Sequence, residues 1–165
     1  MAQTKLGPNP ANTTGELPAI HSSAPAFVLT ANDMKDVSLQ DFAGKNVVLN
    51  IFPSIDTGVC ATSVREFNKR VAEKDNTVVL CIAKDLPFAM KRFCGAEGID
   101  RAITLSDFRS RGFGKAYGVE LTDSAFAGLF ARAVVVLDPT GKVKHTELVP
   151  QIGEEPNYEA ALKAI

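Results

Sequence analysis

The stretch "NVVLNIFPSIDTGVCATSVREFNKRVAEKDNTVVLCIA", residues 46–83, decides the fold. Its two ends, 46–52 and 77–83, are apolar runs rich in β-branched residues, of the length expected for strands buried on both faces. Between them Cys60, Val64, Phe67 and Val71 recur at i, i+4, i+7 and i+11, the apolar stripe of a helix over 59–74. Two strands separated by a helix are expected to run parallel, because a tight hairpin cannot join parallel strands.

The same alternation continues downstream. Residues 86–94 read as a helix, "AITLSD" (102–107) as a strand and 107–116 as a short helix. "ARAVVVLD" (131–138) and "KVKHTELV" (142–149) read as an antiparallel pair turning at Pro139-Thr140-Gly141, followed by a final helix in "NYEAALKAI" (157–165). Upstream, "APAFVL" and "DVSLQDF" suggest a strand, a turn and a short helical segment. The expectation is an α/β fold, a mixed sheet flanked by helices on both faces. At 165 residues, 45% hydrophobic and 22% charged, the chain suits one domain spanning 1–165, with 1–23 as an irregular arm or short edge strands.

Composition narrows the function classes. Eighteen Lys and Arg against nineteen Asp and Glu leave no basic field for a phosphate backbone or an acidic membrane, so no nucleic acid and no membrane partner is expected. No uncharged apolar stretch approaches the roughly 18 residues of a membrane-spanning helix. The opening "MAQTKLGPNPANTTGELPAI" has no continuous apolar segment of the kind a signal peptide carries, and a cytoplasmic location is expected. Three cysteines, Cys60, Cys81 and Cys94, stand at spacings of 21 and 13, with neither histidine close to any of them in sequence. That pattern fits neither a secreted disulfide framework nor a zinc site; thiol chemistry without a metal or cofactor is the better reading. Gly112-Phe113-Gly114 lacks the strand-loop-helix context of a phosphate cradle and reads as a turn.

Cys60 sits on the first turn of the helix that follows "PSIDTGVC" (53–60), where unpaired N–H groups and the helix dipole favour a thiolate over a thiol. Taken alone, a small apolar residue in a core stripe explains it equally well. Three residues shift that balance. Thr57 can cap the helix or turn its hydroxyl towards the sulfur and a bound oxygen. Pro53 ends the strand, and its ring can shield one side of the thiol. Arg132 is a lone guanidinium in an apolar strand, costly to bury unless an anion meets it, and it is read as facing the Cys60 thiolate; an edge-strand arginine reaching water or pairing with a carboxylate is the alternative. Cys81, in the middle of "VVLCIA", reads as packing.

"PSIDTGVC" resembles the Pro-x-x-x-Thr-x-x-Cys motif of the peroxiredoxins, and "NIFPSIDTGVCATSVREFN", "DNTVVLCIAKDLPFAMKRFCGAEG" and "ARAVVVLD" resemble their thiol peroxidase subfamily. The resemblance covers nearly everything from residue 24 onwards and implies a thioredoxin-like fold. It further implies that Cys60 attacks hydrogen peroxide or organic hydroperoxides and becomes a sulfenic acid. Pro53, Thr57 and Arg132 would then belong to the catalytic site, and Cys94 would form an intramolecular disulfide with Cys60. Thioredoxin as reductant and a homodimer are implied in the same way. The subfamily usually opens with a β-hairpin, whereas "KLGPNPANTTGELPAIHS" shows little strand alternation. Two other classes stay open from the residues themselves. A cysteine hydrolase would need His21 or His145 beside Cys60, and a redox-sensing or binding module would form the disulfide with little turnover.

Overall fold

A computed structural model describes residues 1–165. Two small strands, β1 (Gln3–Leu6) and β2 (Asn9–Asn12), form a separate antiparallel hairpin. The main sheet comprises β3 (Val28–Ala31), β4 (Asp36–Ser38), β5 (Asn46–Ile51), β6 (Thr77–Ala83), β7 (Ala102–Ser106), β8 (Ala133–Leu137) and β9 (Val143–Leu148). Its order is β4-β3-β7-β6-β5-β8-β9. As the alternation predicts, β5, β6 and β7 are parallel, while β8 and β9 form an antiparallel hairpin and β8 runs antiparallel to β5.

The central strands are buried on both faces, and successive residues feed two cores. Val47, Leu49 and Ile51 of β5 join Leu80, Ile82, Ala133 and Val135 in one core, whereas Val48, Val79, Cys81, Val134 and Val136 join the other. The second core is covered by α1 (Gly58–Val71), α2 (Pro87–Glu97) and α4 (Tyr158–Lys163). Because β5, β6 and β7 step in one direction across the sheet, right-handed crossovers place α1 and α2 on the same face. From α1 that face receives Cys60, Ser63, Val64, Phe67 and Val71, the predicted stripe with Ser63 added. Each large apolar side chain so buried contributes about 1.5–3 kcal/mol. The opposite face carries only the single turn α3 (Phe113–Ala116), a 3-10 turn at Leu39–Phe42 and irregular segments, so the helices on the two faces are unequal.

Several boundaries differ from the sequence reading, each for a local reason. The helix expected over 107–116 shrinks to 113–116, because Gly112 adopts a left-handed φ of 96° and breaks the run before it. The helix expected to end at Cys94 continues to Glu97 and stops where Gly98 turns left-handed at φ 64°. Gly95 therefore lies inside α2. Arg132 precedes β8 by one residue, and β8 is an interior strand with neighbours on both sides, which removes the edge-strand alternative.

Of the two expectations for 1–23, short strands rather than an irregular arm form over residues 3–12, as a hairpin turned at Gly7-Pro8 with Gly7 at φ 62°. Alternation is weak there because short strands at the rim bury few side chains; Thr4 and Ala11 are the buried ones. The hairpin is fastened to the chain after β9: Lys5 N–H donates to Pro150 O at 3.1 Å and Ile152 N–H to Lys5 O at 2.9 Å. Thr4 Oγ1 adds a bond to Val149 O at 2.7 Å.

A second close approach joins residues 15–16 to the turn after α3. Gly118 has φ 67°, and a Cβ there would fall 2.3 Å from Glu16 O. Gly118→Ala is therefore expected to destabilise the protein by at least about 2 kcal/mol, combining left-handed strain with a backbone clash. Thermal denaturation of variant and parent measures this; equal midpoints would contradict the packing described.

Candidate active site

The register between β5 and β8 sets the site. Ile51 pairs with Ala133, so the exit of β5 at Phe52-Pro53 and the entry of β8 at Arg132 lie side by side at one end of the sheet. Pro53 is buried at this exit. The chain then turns through Ser54–Asp56 into α1, whose N-cap is Thr57 with extended backbone (φ −91°, ψ 147°).

Cys60 is fully buried on the first turn of α1. Arg132 Nη2 donates to its sulfur at 3.1 Å. The guanidinium is itself 1% exposed and has no carboxylate partner. Its Nε donates to Ile152 O at 2.8 Å, and Nη1 has no acceptor. The amides of Gly58, Val59 and Cys60 also lack an intramolecular acceptor, as expected of the first turn of a helix. The surroundings of the Cys60 sulfur thus combine one buried cation with the N-terminus of a helix.

Thr57 differs from expectation. Its hydroxyl donates to Ser54 O at 3.2 Å, and it makes neither a side-chain cap on α1 nor a hydrogen bond to the Cys60 sulfur. The Ser54–Thr57 turn, closed also by Thr57 N–H to Ser54 O at 3.2 Å, offers the hydroxyl a nearer acceptor than either. Neither histidine is hydrogen-bonded to Cys60: His21 is exposed, and His145 lies on β9 with its Nε2 unpartnered. A cysteine hydrolase consequently has no base here.

Cys94 is half-buried on α2, and no cysteine is bridged. Its sulfur lies 3.7 Å from Thr104 Oγ1 and 3.9 Å from Asn32 Nδ2, while Thr104 Oγ1 donates to Asn32 Oδ1 at 2.7 Å. Cys60 and Cys94 thus have separate polar surroundings. Cys81 is fully buried on β6, and desolvation raises its thiol pKa to about 12, against a weaker opposing contact from Asn50 Nδ2 at 3.7 Å.

Sequence reasoning missed Asp85, between β6 and α2. Its Oδ1 accepts from Ser54 Oγ at 2.7 Å and its Oδ2 from Ile55 N–H at 2.8 Å, which fixes the turn before α1. The only signal in the sequence was a lone acid two residues before Pro87, in a loop between strand and helix. Ile152 was invisible as well, because its contribution is a backbone carbonyl. No group of histidine, cysteine and acidic side chains is arranged to hold a metal ion.

Comparison with known proteins places these features in context. Residues 19–162 match the model of the Redoxin family. The thiol peroxidase of Mycobacterium tuberculosis is 58% identical over 165 residues, 100% of this chain and 99% of its own length. The crystal structure of a peroxiredoxin-like protein from Aquifex aeolicus superposes with a TM-score of 0.92 at 36% identity, covering 99% of this chain and 96% of that one. The thiol peroxidase from Chromobacterium violaceum shares the fold at a TM-score of 0.90 and 21% identity, over 98% and 93% of the two chains.

The environments of the cysteines predict different reactivity. With a pKa of about 12, roughly one Cys81 in a thousand is a thiolate at pH 9. Iodoacetamide added to the folded, reduced protein at that pH is expected to label Cys94 and leave Cys81 unmodified, as read by peptide mapping. Rapid labelling of Cys81 would contradict its burial.

Proposed function

The chain belongs to the redoxin family and, within it, to the thiol peroxidases of the peroxiredoxin group, and we propose that Cys60 is its peroxidatic cysteine and Cys94 its resolving cysteine. The fold is thioredoxin-like and the enzyme is a peroxidase drawing electrons from a thiol. The observation that carries the assignment of Cys60 is the 3.1 Å contact from the buried Arg132 to its sulfur at a helix N-terminus.

In the proposed reaction the Cys60 thiolate attacks the terminal oxygen of a hydroperoxide. The S–O bond forms as the O–O bond breaks, and the departing oxygen takes a proton and leaves as an alcohol or water. Arg132 Nη1 and the unpaired amides of the first turn of α1 are donors available to the charge that develops on the leaving oxygen. Pro53 shields the sulfur from the strand exit. Thr57 shapes the entry to the helix through its bond to Ser54 O, with its oxygen still able to accept a hydrogen bond. The Cys94 thiol then displaces the hydroxyl from the Cys60 sulfenic acid as water and closes a disulfide.

Thioredoxin is the proposed reductant, and the proposed location is the cytoplasm; no helix is long and apolar enough to cross a membrane. A homodimer is proposed on the apolar surface beside the site: Leu86 and Phe88 are exposed at 52% and 65%, whereas Pro87 between them is buried. Hydrogen peroxide and organic hydroperoxides are both proposed as substrates.

Peroxide-dependent oxidation of thioredoxin at catalytic protein concentration is the deciding experiment. The parent is expected to turn over many equivalents and Cys60→Ser none. Arg132→Met should slow Cys60 oxidation by at least ~10²-fold, the scale of one lost donor in a preorganised anion site. Its thermal midpoint is measured alongside, because the substitution also removes the donor to Ile152 O and the rates are to be compared between folded proteins. A parent that forms one disulfide and then stops would establish the sensing module instead.

Cys94 lies within α2, so the proposed disulfide requires part of α2 and the first turn of α1 to open. Gly95→Ala tests this. A Cβ at Gly95 meets nothing within 4 Å, so alanine adds about 0.5–1 kcal/mol of helix stability without a clash. Disulfide formation is expected to slow severalfold and sulfinic acid at Cys60 to increase. An unchanged rate would mean that α2 stays folded around Cys94.

A further inference from the structure

Asp85 touches neither sulfur, yet its carboxylate fastens the loop that leads to Cys60 onto the loop that starts the helix of Cys94. Both oxygens are engaged, with Ser54 Oγ and with Ile55 N–H. Ser54 Oγ in turn accepts from Asp56 N–H at 3.1 Å, and Ser54 O accepts from the amide and hydroxyl of Thr57. The carboxylate therefore governs every residue from Ser54 to the N-cap of α1. Behind it, Asp85 O accepts a hydrogen bond from Ser106 Oγ, which fixes the Asp85 backbone to the end of β7. The remaining ion pair between these two parts, Arg92 to Asp56 at 3.3 Å, is exposed on both sides and adds little.

We infer that Asp85 is a clasp whose release precedes resolution, so that it sets the ratio of disulfide formation to over-oxidation. The inference rests on the assignment of Cys60 and Cys94 above. The sulfenic acid at Cys60 has two fates. Attack by the Cys94 thiol forms the S–S bond, and the hydroxyl leaves as water with a proton from the thiol. Attack on a second hydroperoxide adds another oxygen to the sulfur, giving sulfinic acid and releasing an alcohol or water. The second fate repeats the approach by which the first peroxide oxidised Cys60 and brings no second thiol to the sulfur. The first requires the turn at 54–57 to loosen so that the start of α1 can leave the sheet. The free energy of the Asp85 bonds therefore opposes only the first fate. Asp85 is a positioning residue in this scheme.

The test separates the two steps in time. The chain has no tryptophan, so the species are followed by rapid quench, alkylation and intact mass. Asp85→Asn removes the charge and one acceptor, and Ser54→Ala removes one donor while leaving the carboxylate on Ile55. Asp85→Asn is expected to accelerate the peroxide-independent step from sulfenic acid to disulfide roughly tenfold, and Ser54→Ala about threefold, as for charge-assisted and single hydrogen bonds. Sulfinic acid per turnover should fall by the same factors, while the peroxide-dependent first step is unchanged or slower. A merely structural role would slow both steps and would not lower over-oxidation. Should Asp85→Asn fail to fold, Ser54→Ala decides alone. An unchanged or slower second step in a folded variant overturns the clasp and leaves the cysteine assignment intact, since the parent still forms the Cys60–Cys94 disulfide. A parent that forms no such disulfide overturns both.

Discussion

A guanidinium buried to 1% exposure, with no carboxylate to meet it, is the constraint on which this structure turns. Burying an arginine unpaired costs several kcal/mol, and the surroundings offset this for Arg132 with one sulfur and one carbonyl. The sulfur is useful to the guanidinium to the extent that it carries negative charge, and the guanidinium stabilises that charge in return. The reactivity proposed for Cys60 and the tolerance of Arg132 in the interior are thus one interaction described from its two ends. Nη1, left without an acceptor, is the remaining capacity of that cation.

Elements remote in sequence are needed to hold this pair. The Ile51–Ala133 register brings the strand exit and Arg132 to one sheet end, and α1 begins seven residues after β5 ends. Ile152 O, the second partner of the guanidinium, belongs to a segment with few bonds to the sheet, and the N-terminal hairpin braces it through Lys5. The hairpin also holds Val149, whose N–H donates to Arg132 O at 3.0 Å, so it supports the backbone on both sides of the guanidinium.

The three thiols of one chain are distinguished by surroundings alone. Cys81 is a core residue whose thiol stays protonated because burial on β6 gives its anion no cation nearby. Cys60 is equally buried, but a helix start and Arg132 provide what Cys81 lacks. Cys94 is half-buried against the Asn32–Thr104 pair, on a helix containing Gly95 and ending at Gly98.

The order of strands and helices, the parallel core, the helix beginning near Cys60, and the place of Cys81 as a packing residue were legible in residues 46–83 and 131–149. Each depends on spacing along the chain, which periodicity and helix-terminus chemistry report directly. Arg132 could be picked out as a charge in an apolar run that only an anion would justify, and the reading that it faces the Cys60 sulfur agrees with the 3.1 Å contact. The N-terminal strands could be offered only beside an irregular arm, because they bury too little to leave an alternating pattern. The hydroxyl of Thr57 found Ser54 O before the helix amides, and Asp85 and Ile152 O carried no motif. These features were decided only in the tertiary structure. They depend on the register of strands far apart in sequence and on which acceptor lies within about 3 Å of a given donor, distances that a one-dimensional pattern does not encode.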